Sequence, residues 1–281
     1  MDIIKRGKYY YLGNSFRLDG KVVYREKYLG KQVPKDIGEI KEDFFRLCNA
    51  EIYKKLNRIK RAFQKEWKSF PESIKRKHLI ELSIDMTYNT NAIEGSKITR
   101  EETEDIITHN ISPRKSIDDV KESINHSKVF FEVLQERKEL SSPMLLQWHR
   151  ALFGETKGDI AGTFREYSVR VSGYRAPDWQ DLPQLLDDYF KWYTPSKDVL
   201  HPIELAARMH YRFEKIHPFG DGNGRIGRLI IVYILTRANC PILVIEHKKR
   251  KSYYHALEKD EYHFLQYVIR RYLRAFNTYL S

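Results

Sequence analysis

Residues 217–228 read His-Pro-Phe-Gly-Asp-Gly-Asn-Gly-Arg-Ile-Gly-Arg, and an apolar run over residues 229–235 follows the last arginine directly. The glycines at Gly222 and Gly224 let a backbone turn approach a ligand with no Cβ in the way. Backbone N–H groups in such a turn, followed by a helix N-terminus, form an anion site. The pattern therefore predicts a polar loop that enters a buried helix, with a phosphate-binding site at the entry point.

The charged side chains of this stretch suit phosphate chemistry. Arg225 and Arg228 carry guanidinium groups that fork onto phosphate oxygens. Asp221 offers a carboxylate suited to Mg²⁺, which usually binds one or two carboxylates plus substrate phosphates. His217 can exchange a proton near neutral pH without a large pKa shift. A lone histidine or a single Gly-Asn-Gly is most often structural, but the joint pattern indicates a functional site.

The stretch resembles the signature of the Fic family, H-P-F-x-(D/E)-G-N-G-R-x-x-R, and every fixed position matches. The flanking residues 201–207 and 213–216 agree with it, and the resemblance covers about residues 80–270. It implies a mainly α fold, a Fic-type helical bundle with a short β-hairpin flap. An N-terminal β-hairpin is expected in addition, because residues 8–29 are rich in Tyr, Val and Leu and are split by Asp19-Gly20.

The resemblance implies transfer of AMP from ATP to a Ser, Thr or Tyr hydroxyl of a target protein. His217 would be the catalytic base, and Asp221 would hold the cofactor Mg²⁺. The nucleotide-binding residues that it implies, from the α-phosphate outward, are Gly222, Asn223, Gly224, Arg225 and Arg228. In a related branch that transfers the terminal phosphate, the position of Gly224 carries a lysine, so glycine favours AMP transfer here.

Other segments supply further candidate site residues. Residues 90–95 read Thr-Asn-Ala-Ile-Glu-Gly and resemble the inhibitory motif of Fic proteins, (S/T)-x-x-x-E-(G/N). The resemblance implies that Glu94 pairs with Arg228 and denies it to the terminal phosphate of ATP. Tyr253 and Tyr254 are candidates for stacking on the base.

A short alternating segment, 164–171, predicts a strand or hairpin within the main domain. It matches the position of the family's flap, where Val169, Arg170 and Val171 would dock a target segment as an added strand. An ordinary surface hairpin is an equally good interpretation of this segment.

The bulk properties are those of a soluble globular protein. The chain has 281 residues, of which 41% are hydrophobic and 31% are charged, and this composition excludes a disordered chain. The formal net charge is +12, but Lys and Arg are spread along the chain, which favours a solvated surface over a nucleic-acid site. The two cysteines, Cys48 and Cys240, lack metal-ligand spacing and predict buried thiols in a reducing compartment. No signal peptide or membrane span is recognised, so we expect a cytoplasmic protein with no membrane partner.

Helical spacing dominates the rest of the chain. We expect an N-terminal hairpin segment over 1–35, a helical region with the inhibitory helix over 36–110, and the catalytic core over 111–281. Long helices are predicted over 37–69 and 71–94, and Thr99 with Glu102 predicts a capping box.

Three other functions stay open at this point. The donor could be another nucleotide such as UTP or GTP, since the signature contacts phosphates. The same site could remove AMP from a modified target, with Glu94 positioning a water. The chain could instead be a nucleotide-sensing regulatory protein. The expected partners are ATP and a target protein; a nucleic-acid partner is not expected, and a homodimer interface could hold or release Glu94.

Overall fold

The computed structural model describes residues 1–18, 21–171 and 174–280, and these ranges contain ten α-helices and five β-strands. The helices are α1 (Ile37–Ser69), α2 (Glu72–Ile93), α3 (Arg100–Glu104), α4 (Ile117–Gln135), α5 (Ser142–Phe153), α6 (Leu182–Val199), α7 (Pro202–Ile216), α8 (Asn223–Arg237), α9 (Arg250–Glu258) and α10 (Glu261–Ala275). The strands are β1 (Asp2–Arg6), β2 (Tyr9–Leu18), β3 (Lys21–Gly30), β4 (Arg170–Val171) and β5 (Tyr174–Arg175). The predicted mainly α fold is confirmed.

The chain divides into two compact units. The first comprises Met1–Ala62 and the chain from Ile269 onward, and the second comprises Phe63–Val268. In the first unit, Leu12 and Phe16 of β2 and Phe45 of α1 are buried. The predicted segment boundaries after residues 35 and 110 stay a prediction.

The N-terminal sheet has one strand more than the predicted hairpin. Strand β1 pairs antiparallel with β2, and β2 pairs antiparallel with β3, in the order β1-β2-β3. Gly7, whose φ is +60°, stands between β1 and β2 in a left-handed conformation that glycine adopts without strain. The prediction missed β1 because this strand is short and four of its five residues are exposed, so it lacks an apolar alternation. The Asp19-Gly20 turn lies outside the described residues.

The second unit is built around α8. All residues of the apolar run 229–235 are buried, which confirms that the polar loop enters a buried helix. Helix α7 packs along α8, and α2, α4 and α5 also contact it. Within the described ranges, no helix combines the length and the apolar character that a bilayer crossing requires.

Helix α2 begins and ends, and helix α3 begins, at the residues that the sequence predicts. Pro71 lies at the N-cap of α2, and Glu94 lies at its C-cap. Gly95 follows with a φ of +106°, a conformation that favours glycine at a helix end. Thr99 and Glu102 form both hydrogen bonds of a capping box at the start of α3. This helix continues as a π-helical turn over Asp105–His109.

The flap is much shorter than the strand predicted over 164–171. Among the described residues of this segment, pairing is confined to β4 and β5, with Arg170 opposite Arg175 and Val171 opposite Tyr174. Most of the predicted strand is irregular, because the side chain of Arg165 is 3% exposed and is committed to the loop after α7. The hydrogen bonds of this buried arginine therefore outweigh the local alternation, which favours a strand. Ser172 and Gly173 lie outside the described residues.

Candidate active site

The loop after α7 begins at His217, which has a left-handed backbone with φ +51°. Arg165 holds this conformation. Its Nε donates to the His217 carbonyl at 2.8 Å, and its backbone N–H donates to the Pro218 carbonyl at 2.9 Å. Its remaining guanidinium nitrogens donate to the carbonyls of Tyr167 and Pro177. Sequence reasoning missed Arg165, because its partner at His217 lies 52 positions away in the sequence.

The imidazole of His217 is oriented by the last turn of α7. Its Nδ1 lies 3.3 Å from the Glu214 carbonyl oxygen. A proton on Nδ1 donates to this carbonyl, which leaves the lone pair on Nε2. Burial lowers the pKa of His217 to about 4, against a smaller opposite effect of the Glu214 hydrogen bond. The expectation of an unshifted pKa was therefore wrong: the imidazole is neutral at neutral pH because burial disfavours its charged form.

Asn223 braces the loop from within. Its Oδ1 accepts from the Phe219 N–H at 2.9 Å, and its Nδ2 donates to the Phe219 carbonyl at 2.8 Å. The ring of Phe219 is fully buried and stacks on His149 with centroids 3.9 Å apart. These two hydrogen bonds fix the orientation of the amide and leave its second N–H without a partner among them. The predicted contact of Asn223 with the α-phosphate stays a prediction.

The glycines allow close approach, as predicted. Gly222 is the N-cap of α8 with φ +77°, and a Cβ there would overlap the Phe153 ring. A Cβ at Gly224 would overlap the Glu94 carboxylate. The first N–H groups of a helix have no intrahelical partner, so the start of α8 can bind an anion.

Glu94 reaches Arg228, as the resemblance implied. The Arg228 Nη2 donates to Glu94 Oε1 at 2.5 Å across 134 positions of sequence. Arg228 is 1% exposed, and its other contacts are the Thr90 hydroxyl, the Thr90 carbonyl and the Tyr253 hydroxyl. Burial acts to lower the pKa of Arg228, but the Glu94 charge and its neighbours raise it overall. Arg228 is thus a permanent cation that needs an anionic partner.

The two predicted base-stacking residues differ. Tyr253 is 1% exposed, and its hydroxyl hydrogen-bonds His210 Nε2 at 2.7 Å. Both faces of its ring are covered, so the prediction that Tyr253 stacks on a base was wrong. Tyr253 instead lies beside Arg228, and its hydroxyl accepts a hydrogen bond from the guanidinium. Tyr254 is half-buried with Arg250 over its ring, and its stacking role stays a prediction.

Four charged side chains form a second cluster, made of Glu122, Lys157, Asp221 and Arg225, and we call it the four-charge cluster. Arg225 pairs with Glu122, and its Nη2 lies 3.7 Å from Asp221 Oδ2. Lys157 Nζ lies 2.9 Å from Glu122 Oε1 and 2.7 Å from Asp221 Oδ2. Sequence reasoning missed Glu122 and Lys157, because nothing local marks a charge that is paired across helices.

Asp221 is the predicted metal ligand, and its surroundings fit that role. No cluster of three or more His, Cys, Asp or Glu side chains suited to a metal occurs within the described ranges. A Mg²⁺ ion needs only one or two carboxylates when phosphate oxygens complete its shell. Asp221 Oδ2 already contacts a cationic group, the ammonium of Lys157. Burial acts to raise the pKa of Asp221, but Lys157 and Arg225 lower it overall, so the carboxylate is ionised.

Two buried histidines near the site predict a pH-dependent stability. Burial lowers the pKa of both His126 and His210 to about 3, whereas the unfolded chain holds them near 6.5. Between about pH 3 and 6.5 the unfolded state binds more protons, so the free energy of unfolding falls as the pH is lowered. We expect His126→Gln to flatten this fall by about 1 kcal/mol per pH unit. Urea unfolding at about pH 5 and 7 measures it. Exposed His109→Gln is the control, and an equal slope in both variants would contradict the assignment.

Comparison with known proteins assigns the segment that contains this loop to a family. Residues 139–235 match the model of the Fic/DOC family. The chain is 34% identical over 205 residues to the Protein adenylyltransferase Fic of Nematostella vectensis, an alignment covering 69% of this chain and 48% of that protein. The chain therefore spans about half the length of this curated relative.

Two solved structures share the fold. A Fic domain containing signaling protein from Bacteroides thetaiotaomicron has a TM-score of 0.73 at 24% identity, covering 80% of this chain and 95% of that one. Fic-1 from C. elegans has a TM-score of 0.71 at 25% identity, covering 90% of this chain and 79% of that one. Residues 139–235, which contain the His217–Arg228 loop, therefore form a domain of the Fic/DOC family.

Proposed function

We propose that this chain is a protein adenylyltransferase that moves AMP from ATP to a Ser, Thr or Tyr hydroxyl and is restrained by Glu94. One observation carries the proposal: a neutral imidazole, an ionised carboxylate and the N-terminus of α8 converge on the loop 217–228. The relative from Nematostella vectensis bears the name of this activity, which supports the same chemistry here.

In the proposed reaction, His217 is the general base. The target hydroxyl oxygen forms a bond to the α-phosphorus while the bond to the α,β-bridging oxygen breaks, and pyrophosphate leaves. The hydroxyl proton goes to Nε2 of His217, since Nδ1 is oriented on the Glu214 carbonyl. A bound triphosphate brings negative charge next to the imidazole, which raises its pKa toward the range of an effective base.

The rest of the site would bind the triphosphate. The N–H groups at the start of α8 would donate hydrogen bonds to the α-phosphate, because Gly222 and Gly224 place no side chain in the way. Arg225 would take the β-phosphate and Arg228 the γ-phosphate. A Mg²⁺ ion held by Asp221 and phosphate oxygens would neutralise charge that develops on the leaving pyrophosphate.

Inhibition follows from the Glu94–Arg228 pair. The pair uses the cation that the γ-phosphate needs, and Glu94 Oε1 also lies against Gly224. A nucleotide that binds while Glu94 stays in place lacks its γ-phosphate anchor, so its α-phosphorus is not aligned for in-line attack. The Glu94 side chain is 30% exposed, so it can leave without opening the core.

The flap is the proposed docking site for the target. The backbone of Val169 accepts from the Ala176 N–H at 3.1 Å, and Arg170 and Val171 continue the ladder. A target segment added along Val169–Val171 would carry its hydroxyl past His217. The proposed partners are ATP and this target, and the proposed location is the cytoplasm; a homodimer that holds or releases Glu94 stays a prediction.

The position of the label distinguishes the proposed reaction from its alternatives. The Glu94→Gly variant is incubated with Mg²⁺ and ATP labelled in either the α- or the γ-phosphate. We expect label on protein from α-labelled ATP alone, with release of pyrophosphate. Protein label from γ-labelled ATP would instead show phosphate transfer, and competition by UTP or GTP would show another donor.

Removal of AMP is a second candidate, favoured by the place of Glu94. Its carboxylate borders the start of α8, where the α-phosphate would lie, so it could position a water there. If this is the main activity, an AMP-modified protein loses AMP with the wild-type chain and keeps it with Glu94→Gly. Equal loss with both chains would contradict a role of Glu94.

A further inference from the structure

Lys157 lies outside the 217–228 signature but contacts one of its residues, Asp221. It lies in the turn after α5, where its backbone N–H donates to the Phe153 carbonyl at 2.8 Å. Its ammonium lies 2.7 Å from Asp221 Oδ2 and 2.9 Å from Glu122 Oε1, and its side chain is 31% exposed. A lysine on a surface turn usually extends into solvent, whereas this one lies between two carboxylates at the edge of the candidate site.

Glu122 holds Lys157 in this position. Its side chain is 9% exposed, and it also pairs with Arg225 and accepts from the Thr156 hydroxyl at 3.0 Å. The Phe153 ring supports both cations, with Lys157 Nζ 4.9 Å and Arg225 Cζ 4.3 Å from its centroid. Burial acts to raise the pKa of Glu122, but the two cations lower it overall. The ammonium is therefore anchored independently of Asp221.

Asp221 has both oxygens engaged in this arrangement. Its Oδ1 accepts from the Gly222 N–H at 2.6 Å, and its Oδ2 contacts Lys157. Two carboxylates and two cations make the four-charge cluster formally neutral. A divalent cation that approaches Asp221 therefore meets an ammonium on the oxygen it needs, and the like charges repel.

We propose that Lys157 is the resident cation of Asp221 and makes metal binding depend on the nucleotide. Without nucleotide, Asp221 keeps Lys157 and binds a divalent metal ion weakly. With nucleotide, phosphate oxygens give the ammonium another partner, and Asp221 exchanges Lys157 for the metal ion. Lys157 then remains anchored by Glu122 and contributes to phosphate binding. The inference rests on the proposed function, since it assumes a nucleotide and a metal ion at this site.

Direct measurement of metal binding tests this inference. Mn²⁺ is titrated into the full chain without nucleotide, and the electron paramagnetic resonance signal of free Mn²⁺ is followed. We expect Lys157→Met to bind Mn²⁺ about tenfold more tightly than the wild type, because a competing charge is removed. Lys157→Arg should stay near the wild type. Lys121→Met is the matched control, since Lys121 pairs with Glu155 rather than Asp221.

The second arm repeats the titration with α,β-methylene-ATP, which resists attack at the α-phosphorus. Here we expect the advantage of Lys157→Met to shrink or reverse, since the ammonium now has phosphate oxygens to bind. Thermal unfolding confirms that each variant is folded, and adding Asp221→Ala should remove the gain in affinity. Equal or weaker Mn²⁺ binding by folded Lys157→Met without nucleotide would overturn the proposal. Mn²⁺ binding is measured without any group transfer. The proposal about Lys157 can therefore be overturned while AMP transfer is observed, and AMP transfer can be absent while the proposal about Lys157 holds.

Discussion

Replacing Glu94 with glycine is expected to raise AMP transfer to protein by about ten- to a hundredfold. The variant removes the carboxylate that pairs with Arg228 and leaves the guanidinium with its Thr90 and Tyr253 contacts. A charge-assisted contact of about 1.5–3 kcal/mol corresponds to this range, because each 1.4 kcal/mol is tenfold in an equilibrium. Label from α-labelled ATP on protein, measured as an initial rate, provides the test.

Two controls separate release of Arg228 from a change in the helix end. Glu94→Asp keeps the charge on a shorter side chain, so we expect a rate between those of the wild type and Glu94→Gly. Glu94→Gly leaves the buried Arg228 without its anionic partner, so some loss of stability is expected, and thermal unfolding should confirm that the variant is folded. Active wild-type and Glu94→Gly chains with equal rates would rule out inhibition by Glu94.

Removing the imidazole of His217 is expected to lower AMP transfer by about a hundredfold or more in the Glu94→Gly background. A general base typically contributes 10²–10⁴-fold, and Nε2 of His217 is the proposed acceptor of the hydroxyl proton. Initial rates from α-labelled ATP at saturating nucleotide measure the effect. Retained AMP transfer in the variant would assign the base elsewhere.

The choice of replacement matters because the His217 backbone is left-handed. Alanine in this conformation costs about 1–2 kcal/mol, so a loss of activity in His217→Ala could reflect a distorted loop. Asparagine adopts this conformation more readily and has no group that accepts a proton at neutral pH. His217→Asn should therefore bind ATP like its parent while losing transfer. Loss of both binding and transfer would point to a structural role for His217.

The two carboxylate–arginine pairs of the site differ in burial, and this difference gives them different roles. Glu122 is 9% exposed and has three partners, Arg225, Lys157 and Thr156. Glu94 is 30% exposed, and its contact with Arg228 lies at the end of a helix. Glu122 has little access to water, so moving it away from its partners would be costly, whereas Glu94 can turn into solvent. Arg228 would then need another anion, and the γ-phosphate of the proposed nucleotide could supply it. Glu122 therefore positions Arg225, and Glu94 is suited to regulate Arg228.

The sequence by itself predicted the features that depend on chain neighbours. The buried helix after the loop, the helix end at Gly95 and the capping box of Thr99 and Glu102 all appear as expected. Each of these depends on interactions within a few residues, so the local pattern contains the necessary information. The contact of Glu94 with Arg228 was predicted from the resemblance alone, because the two residues stand 134 positions apart.

Only the tertiary structure decided how the loop is held and what its side chains are free to do. The Arg165 side chain reaches the His217 carbonyl from 52 positions away, and Glu122 reaches Arg225 from 103. The amide of Asn223 is used within the loop, and packing covers the Tyr253 ring. Burial also moves the pKa of His217 to about 4. These properties depend on which helix faces meet and how much water they exclude, and residue order alone does not specify either.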